Sequence, residues 1–207
     1  MAAPKKHDPN DPKSSPREAI IAATIRAIEA AGEASVRVTE VAREAGVTQG
    51  MVSYYFKDRE GLISEANIER FATAGVQDIA FMVDAARNVK TKDEFINLLR
   101  MSTRTIVATD RAANRRIRTS VIGSVANRPD LQANVIKVLD QLISGTEEVV
   151  RIALERGIVK TSLAPRAIAE IVIAYTQGLI VADMDPLCPP REELAKVIDR
   201  FLESIIE

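Results

Sequence analysis

Cysteine, histidine and tryptophan are almost absent from this chain of 207 residues. It has one cysteine, Cys188, one histidine, His7, and no tryptophan. One cysteine excludes an intramolecular disulfide and any zinc site built from several thiolates. One histidine excludes the paired histidines of HExxH metal sites, and it leaves almost no material for histidine acid/base chemistry. We therefore expect a protein that is not an enzyme and holds no metal or cofactor.

Long hydrophobic runs are also scarce. The longest strongly apolar stretch without a charge is residues 171–182, which lies between Glu170 and Asp183. A membrane-spanning helix needs ~20 such residues, so we expect no membrane segment. The N-terminus carries lysines but no apolar region typical of a secretory signal. These absences predict a cytoplasmic protein.

Charge of one sign is not in excess, because 28 Lys and Arg residues face 29 Asp and Glu residues. The first 60 residues are equally balanced, with nine of each sign. No strongly basic domain is therefore present, and any nucleic-acid surface must be local. Such a place exists between positions 45 and 57, where Lys57 is the only charged residue. With 46% hydrophobic residues, the composition is that of a globular protein.

Proline is confined to a few places. Four of the nine prolines lie within the first 16 residues, and none lies between 17 and 128. The start of the chain, residues 1–15, therefore reads as a flexible arm. The proline-free part is rich in Ala, Glu, Arg, Ile and Leu and lacks alternating Val, Thr and aromatic runs, a composition that favours helices over strands. We predict an all-α fold.

Start signals divide the chain into helices. Ser15, Pro16 and Glu18 form an N-cap, a proline at the first helical position and a capping-box glutamate, so a helix should run from there to Gly32. Its inner face is predicted from the three- and four-residue spacing of Ile20, Thr24, Ala27, Ile28 and Ala31. Thr39 and Thr48 are candidate caps of two short helices on either side of Gly46.

The remaining signals complete nine predicted helices. Asp58 is a candidate cap of a long fourth helix reaching about Ala86, and Thr91 with Glu94 forms a capping box that opens a helix to about Thr109. Further helices are expected near 111–124, 130–156, 165–183 and 190–206. The predicted domains are an N-terminal three-helix domain at 16–60 and a C-terminal helical bundle at 61–207, joined through the long fourth helix.

Residues 38–57 have the spacing of a helix-turn-helix. Two short helices that cross closely need a small residue at the crossing, supplied by Ala42, and a turn residue that tolerates a positive φ, supplied by Gly46. A small core can then form from Val41, Val47, Val52 and Phe56. The alternative is an ordinary helical hairpin, but the agreement of all these positions favours double-stranded DNA binding.

The second short helix then turns its other face outward. In such motifs its N-terminal end enters the major groove first, where Gln49 can pair with adenine and Met51 can contact a thymine methyl. Gly50 allows close approach to the duplex, and hydroxyls and Lys57 can bind phosphates. Packing within the protein is the alternative for the two tyrosines. The candidate DNA-binding residues are Thr39, Thr48, Gln49, Gly50, Met51, Ser53, Tyr54, Tyr55 and Lys57.

The segment VRVTEVAREAGVTQGMVSYYFKDREGLI, within residues 16–65, resembles the helix-turn-helix signature of the TetR family of bacterial transcriptional regulators. The segment YTQGL at 175–179 resembles the usual penultimate helix of that family. The resemblance implies a homodimeric repressor that binds a near-palindromic operator and is released by a small-molecule effector in the C-terminal bundle. Ser53 is a departure, since many members carry a tyrosine there that touches phosphate.

The last two predicted helices are apolar on more than one face, which indicates burial on several sides. We expect them to pair with those of a second copy, with burial inside one monomer as the alternative. The predicted dimer interface is Ile168, Val172, Tyr175, Leu179, Leu194, Ile198, Phe201 and Ile205. An apolar effector pocket is predicted from large side chains that are otherwise plain core: Phe71, Phe81, Met82, Phe95, Met101 and Tyr175.

Six arginines and one acid, Asp110, lie between positions 100 and 118. They form either a solvated helix face, or a set that binds an anionic effector or pairs with acids on the fourth helix. For the whole chain, a ligand-responsive DNA-binding regulator is favoured. The alternative is a helical small-molecule binding protein whose helix-turn-helix is non-functional.

Overall fold

The computed structural model describes residues 15–206, apart from the side chain of Gln77. This part of the chain is helical and contains no strand, which confirms the predicted all-α fold. The helices are α1 (Pro16–Ala31), α2 (Val38–Glu44), α3 (Gln49–Phe56), α4 (Arg59–Thr73), α5 (Val76–Asn88), α6 (Lys92–Val107), α7 (Ala112–Ser124), α8 (Pro129–Glu155), α9 (Pro165–Gly178), α10 (Ile180–Met184) and α11 (Arg191–Ser204). Except for Ser15, the predicted N-terminal arm lies outside the described residues.

Each of the nine predicted helices has a counterpart among the described residues, but two are interrupted. The predicted long fourth helix ends at Thr73, and α5 begins at Val76 after Ala74 and Gly75. Glycine is a poor helix former, and here Gly75 adopts a non-helical conformation with φ −159° and ψ −26°. The predicted helix at 165–183 is interrupted at Leu179, between α9 and α10.

Most of the predicted start signals act as expected. The Ser15 hydroxyl accepts a hydrogen bond from the Glu18 N–H, and the Glu18 carboxylate accepts one from the Ser15 N–H. The Asp58 carboxylate accepts from the Gly61 N–H at 2.8 Å. The Thr39 prediction is wrong, because α2 starts one residue earlier and its N-cap is Arg37, which makes no side-chain capping bond.

The α6 capping box forms only in part. Thr91 accepts from the N–H of Glu94, as predicted. The Glu94 carboxylate, however, accepts from the backbone N–H of Lys90 rather than from that of Thr91.

The chain divides into two compact units. The first holds the described residues up to Arg70 together with Arg128–Leu131, and the second holds residues 71–127 and 132–206. The first boundary therefore falls within α4, and the second falls near the start of α8.

The core of the first unit is built by α1 to α4. Ile20, Leu62 and Ile63 are fully buried in it, and the α1 face also includes Ile21 and Ala23. The predicted α1 face is correct for Ile20, Thr24 and Ile28, while Ala27 is partly buried. Ala31 is exposed, because it is the last residue of the helix and lies beside Gly32.

The core of the second unit contains two main groups of apolar side chains. One joins α5, α6 and α8 through Met82, Phe95, Leu98 and Val149. The other joins α8 and α9 and contains Leu142, Ile143, Ala169 and Ile173. These helices enclose the cavity described below.

The stretch Pro165–Met184, which spans α9 and α10, is long and apolar enough by composition to cross a membrane. This stretch is longer than the uncharged run at 171–182 because a membrane-spanning helix tolerates a few charged side chains. Its apolar character has a local use, since Ile168, Ala169 and Ile173 are buried inside the second unit.

Candidate nucleic-acid interface and cavity

The turn between α2 and α3 has the geometry that the sequence predicts. Gly46 has a φ of +68°, a conformation that glycine adopts without the penalty of a Cβ. The Val47 N–H donates across the turn to the Ala42 carbonyl at 2.9 Å. Ala42 is 3% exposed, and Val41 and Val52 are buried beside it. The two short helices therefore meet as a helix-turn-helix requires.

Helix α3 is fixed at its start and along one face. The Thr48 hydroxyl accepts a hydrogen bond from the Met51 N–H at 3.3 Å, which caps the helix. Val52 and Phe56, one turn apart, are buried in the core of the first unit. This fixes the rotation of the helix about its axis, so that the opposite face is presented to solvent. Tyr54 on that face is 83% exposed.

The candidate DNA-binding residues lie on the surface of the first unit. Met51 is half-buried, and the other eight are exposed, including Thr39 on α2. The rings of Tyr54 and Tyr55 meet edge to face with centroids 5.2 Å apart. Tyr54 is 83% exposed, so core packing does not account for its ring, whereas Tyr55 is 37% exposed and its ring centroid lies 6.2 Å from that of the buried Phe56.

Lys57, directly after α3, has an unusual backbone conformation. Its φ of 65° and ψ of −61° place it at the centre of a three-residue turn, closed by a 2.7 Å hydrogen bond from the Asp58 N–H to the Phe56 carbonyl. This is the rare γ-turn conformation, which is strained for a residue with a side chain. The only charged side chain between positions 45 and 57 is therefore held in a fixed backbone geometry.

Two glycines flank this turn and have different surroundings. A Cβ at Gly61 would lie 2.3 Å from the Phe56 carbonyl oxygen, so glycine is required there by the fold. A Cβ at Gly50 would meet only the Thr48 hydroxyl, at 3.7 Å, an ordinary contact. The fold therefore does not require glycine at position 50, on the exposed face of α3.

A polar network that the sequence did not reveal lies within the first unit. Asn67 is fully buried on α4 and donates to the Glu33 carboxylate at 2.7 Å. Arg128 donates to the other oxygen of the same carboxylate at 2.8 Å and lies 3.3 Å from the Glu60 carboxylate. The one sequence signal is an asparagine among apolar residues of an amphipathic helix, and it does not identify its distant partners.

The second unit contains a cavity of about 250 Å³ with a mostly apolar lining. Five of the six residues predicted for an effector pocket line it: Phe81, Met82, Phe95, Met101 and Tyr175. Phe71 is not part of the lining; it is fully buried, with the Arg118 guanidinium 5.8 Å from its ring centroid. Burial and the nearby Asp199 charge raise the pKa of Tyr175 to about 12, so its phenol is neutral at physiological pH.

The predicted dimer residues are only partly on the surface. Ile168 is buried, and Val172, Tyr175 and Ile205 line the cavity with it, so these four do not form an exposed face. Leu179, Leu194 and Ile198 are half-buried, and Phe201 is 41% exposed. Of the predicted set, Phe201 is therefore an exposed large apolar side chain, and the dimer interface as a whole stays a prediction. From the start of α9 to the end of α11, the exposed large apolar residues are Ile171, Val181, Met184, Leu187, Val197 and Phe201.

The arginines between 100 and 118 have several different roles. Arg100 pairs with Glu203, and Arg104 pairs with Asp199 and Glu192, all on α11. Arg111 pairs with Asp78 of α5, which lies within the predicted fourth helix, so the predicted pairing with an acid of that helix is correct for this arginine. The solvated-face interpretation holds for Arg116, which is exposed.

Arg115 is the most enclosed arginine of this group. It is buried and donates to both oxygens of Asp183 at 2.6 and 2.7 Å, and its remaining N–H groups reach the carbonyls of Ile106 and Ala108. Arg191 donates to the same carboxylate at 2.7 Å. The hydrogen bonds and charge of Arg115, with the charge of Arg191, hold the pKa of Asp183 below its ordinary value despite burial.

Comparison with known proteins places the first unit in a family. Residues 20–66 match the profile described as "Bacterial regulatory proteins, tetR family". Over 47 residues the chain is 43% identical to the HTH-type transcriptional regulator BetI of Ectopseudomonas mendocina, covering 23% of this chain and 24% of that protein. Over 77 residues it is 36% identical to BetI 2 of Chromohalobacter salexigens, covering 37% and 35%. The match thus spans about a quarter to a third of these relatives.

Solved structures resemble the fold over nearly the whole chain. A Mesorhizobium loti regulator assigned to the TetR family has a TM-score of 0.69 at 16% identity, covering 92% of this chain and 94% of that one. FadR from Bacillus subtilis, solved in complex with stearoyl-CoA, has a TM-score of 0.59 at 17% identity, covering 92% and 99%.

These relatives are transcriptional regulators and not enzymes, in agreement with the expectation from the scarcity of histidine and cysteine. The helix-turn-helix geometry, the matched profile and the likeness of fold agree with one another. Residues 20–66 therefore form a DNA-binding domain of the tetR family of bacterial regulatory proteins, and the chain as a whole shares the fold of the solved regulators.

Proposed function

We propose that this chain is a homodimeric repressor that binds a near-palindromic DNA operator through α3 and leaves it when a small molecule fills the cavity of the second unit. One observation carries the DNA-binding part of the proposal. Val52 and Phe56 are buried while Tyr54 on the same short helix is 83% exposed, so the opposite face of α3 is available to a partner.

The chemistry of that exposed face suits a DNA groove. Gln49 and Met51 stand in its first turn, where an amide can bind adenine and a thioether can contact a thymine methyl. The hydroxyls of Thr48 and Tyr54 and the Lys57 ammonium are suited to phosphates. Between positions 45 and 57 there is no acidic side chain to repel the DNA backbone.

A dimer is proposed from the charge balance and from the exposed apolar residues. A binding surface with a single cation has little electrostatic affinity for a duplex, and two copies double the contacts. Ile171 and Val181 on the α9–α10 stretch, with Val197 and Phe201 on α11, supply apolar surface that a second copy would cover. A twofold dimer would place its two α3 helices ~34 Å apart, one turn of duplex DNA.

The cavity supports the effector part of the proposal. Its volume of about 250 Å³ is just below the ~300–1,000 Å³ of typical ligand pockets. FadR from Bacillus subtilis, which has a similar fold, was solved with stearoyl-CoA bound. Release would require the effector to bind more tightly to the form of the protein with low operator affinity, usually by ~1–3 kcal/mol.

We further propose that the protein works in the cytoplasm and does not span a membrane. The buried pairing of Asp183 with Arg115 and the burial of Ile168, Ala169 and Ile173 give the stretch Pro165–Met184 a role inside the second unit.

The experiment that tests the proposal is selection of bound duplexes from a random pool with the full-length protein, repeated with candidate metabolites. Selected sequences should share two related half-sites, and at least one metabolite should release them. Gln49→Ala should weaken binding to the selected duplex by roughly 5- to 150-fold, which corresponds to about 1–3 kcal/mol per base contact. The control is Gln132→Ala, another exposed glutamine, which lies on α8. Absence of salt-dependent binding to any duplex would instead favour a helical small-molecule binding protein with a non-functional helix-turn-helix.

A further inference from the structure

Three arginines, Arg111, Arg115 and Arg118, are among the residues that line the cavity of the second unit. Two of them are neutralised by carboxylates. Arg111 donates to both oxygens of Asp78, at 2.9 and 3.2 Å, and Arg115 donates to both oxygens of Asp183. Arg118 is different, since it forms no ion pair with any residue in the described part of the chain.

Within the described part of the chain, the groups that contact the Arg118 guanidinium are neutral. With the Gln177 amide oriented to face it, the amide oxygen accepts hydrogen bonds from Nε at 3.0 Å and from Nη2 at 2.5 Å. Its guanidinium carbon lies 5.8 Å from the centroid of the Phe71 ring. Gly75 lies on another side, where even an added Cβ would remain 3.7 Å from Nη1. The nearest acidic influence is Asp78, whose carboxylate is already bound by Arg111.

The Arg118 guanidinium is therefore a cation among neutral groups, which do not stabilise its charge. Burial lowers the pKa of Arg118 to about 10, because the charged form loses hydration, so the side chain is still a cation at neutral pH. An anion at the same place would replace the lost hydration with charge-assisted hydrogen bonds, and a planar carboxylate matches the fork of N–H groups on a guanidinium.

We propose that the cavity binds a small amphipathic carboxylate, whose carboxylate is held by Arg118 and whose apolar part lies among the aromatic and aliphatic side chains of the lining. This inference rests on the proposed effector role of the cavity and names the chemical class of the ligand. The cavity volume of about 250 Å³, just below the ~300–1,000 Å³ of typical ligand pockets, favours a small ligand such as a medium-chain fatty acid or an aryl-substituted acetic acid. The neutral phenol of Tyr175 is a further hydrogen-bond donor in the lining.

Calorimetric titration of the full-length protein with four compounds tests this inference. Octanoate and phenylacetate are the carboxylates, and octanamide and phenylacetamide are neutral compounds of nearly the same shape. Each carboxylate should bind at least about tenfold more tightly than its amide, the usual difference when a hydrogen bond gains a charged partner. Arg118→Met should remove this preference and leave amide binding within a few fold of the wild-type value.

Two further variants keep the test decisive. Arg116→Met removes a cation from an exposed position on the same helix, and its titrations should match those of the wild type. Arg118→Lys retains the charge without the planar fork, so it should keep a preference for the carboxylates while binding them more weakly than the wild type. If Arg118→Met does not fold, the comparison of each acid with its amide in the wild type and in Arg118→Lys still decides the question.

Equal binding of acid and amide would overturn the assignment of a carboxylate and leave the effector cavity in place. So would an Arg118→Met variant that keeps the wild-type preference. Failure of all four compounds to bind would also overturn the inference, whereas the proposed DNA binding is decided independently by duplex selection without ligand. Conversely, an Arg118-dependent preference in a protein that binds no duplex would support the ligand class and reject the repressor.

Discussion

The backbone of Gly61 lies against the carbonyl oxygen of Phe56 so closely that a Cβ at position 61 would be 2.3 Å from that oxygen. The same carbonyl accepts the Asp58 N–H, and the Asp58 carboxylate accepts the Gly61 N–H. The end of α3 and the start of α4 are therefore joined by these two hydrogen bonds and by the close backbone contact. This junction sets the position of α3 on the first unit.

Gly61→Ala should destabilise the first unit, because backbone atoms would have to move to admit the methyl group. Overpacking of this kind costs about 1–3 kcal/mol. Chemical denaturation of the full-length protein measures it, with Gly123→Ala on α7 as the control, since a Cβ there would meet nothing within 4 Å. A Gly61→Ala protein as stable as the wild type would show that the junction is more compliant than its geometry indicates.

Gly50→Ala should separate folding from DNA binding. The position is helical and open, so alanine should stabilise the protein by up to about 1 kcal/mol. If the α3 backbone approaches the duplex at this point, the added methyl should reduce operator affinity at least tenfold, which a mobility-shift titration measures. An alanine variant with unchanged affinity would mean that the duplex does not contact this part of α3.

Lys57→Gly should strengthen the fold while weakening DNA binding. Glycine relieves the strain of a φ of 65° with a ψ of −61°, and the net gain should be about 1 kcal/mol in the free energy of unfolding. The loss of the ammonium should reduce the slope of operator affinity against salt by about 1. Lys57→Gln is the matched control, because it removes the charge and keeps the strain. A glycine variant less stable than the glutamine variant would contradict the strain argument.

Local signals in the sequence predicted much of the first unit. The Ser15 and Thr48 caps and the positive φ of Gly46 depend on contacts within about one helical turn or across one short turn, and Val52 and Phe56 share a buried face because they are one turn apart. Such contacts follow from residue type and spacing. The exposed face of α3 then follows by elimination.

Contacts between residues far apart in the chain were not predictable in the same way. The pairing of Glu33 with Asn67 and Arg128 spans up to 95 residues, and no spacing rule connects them. Three α9 residues predicted for the dimer interface, Ile168, Val172 and Tyr175, line the cavity, because the helix is apolar nearly all round and periodicity does not distinguish a cavity wall from an exposed surface. The ion pairs of the arginines between 100 and 118 are formed with acids of α5, α10 and α11, which lie far away in the sequence.

Val197→Glu should shift the protein from dimer to monomer if the proposed interface is correct. Val197 is 68% exposed, so glutamate costs the isolated protomer little, but its charge would be buried against a second copy. Light scattering after size exclusion measures the mass. Ile136→Glu on α8, at 55% exposure, is the control and should remain dimeric. A dimeric Val197→Glu protein would place the interface elsewhere.

Asp183→Asn should lower the stability of the second unit and change its response to acid. The native pKa of Asp183 is depressed below 3.8, so its stabilising effect is present above that pH and is lost as the pH falls towards the native pKa. Leaving Arg115 buried without its partner should cost about 3–5 kcal/mol at pH 7. Thermal melting between pH 7 and 2 should show a gap between wild type and variant that narrows below about pH 4. Glu193→Gln breaks an exposed pair with Lys196 and should leave the melting curves unchanged, while a constant gap down to pH 2 would mean that Asp183 acts without its charge.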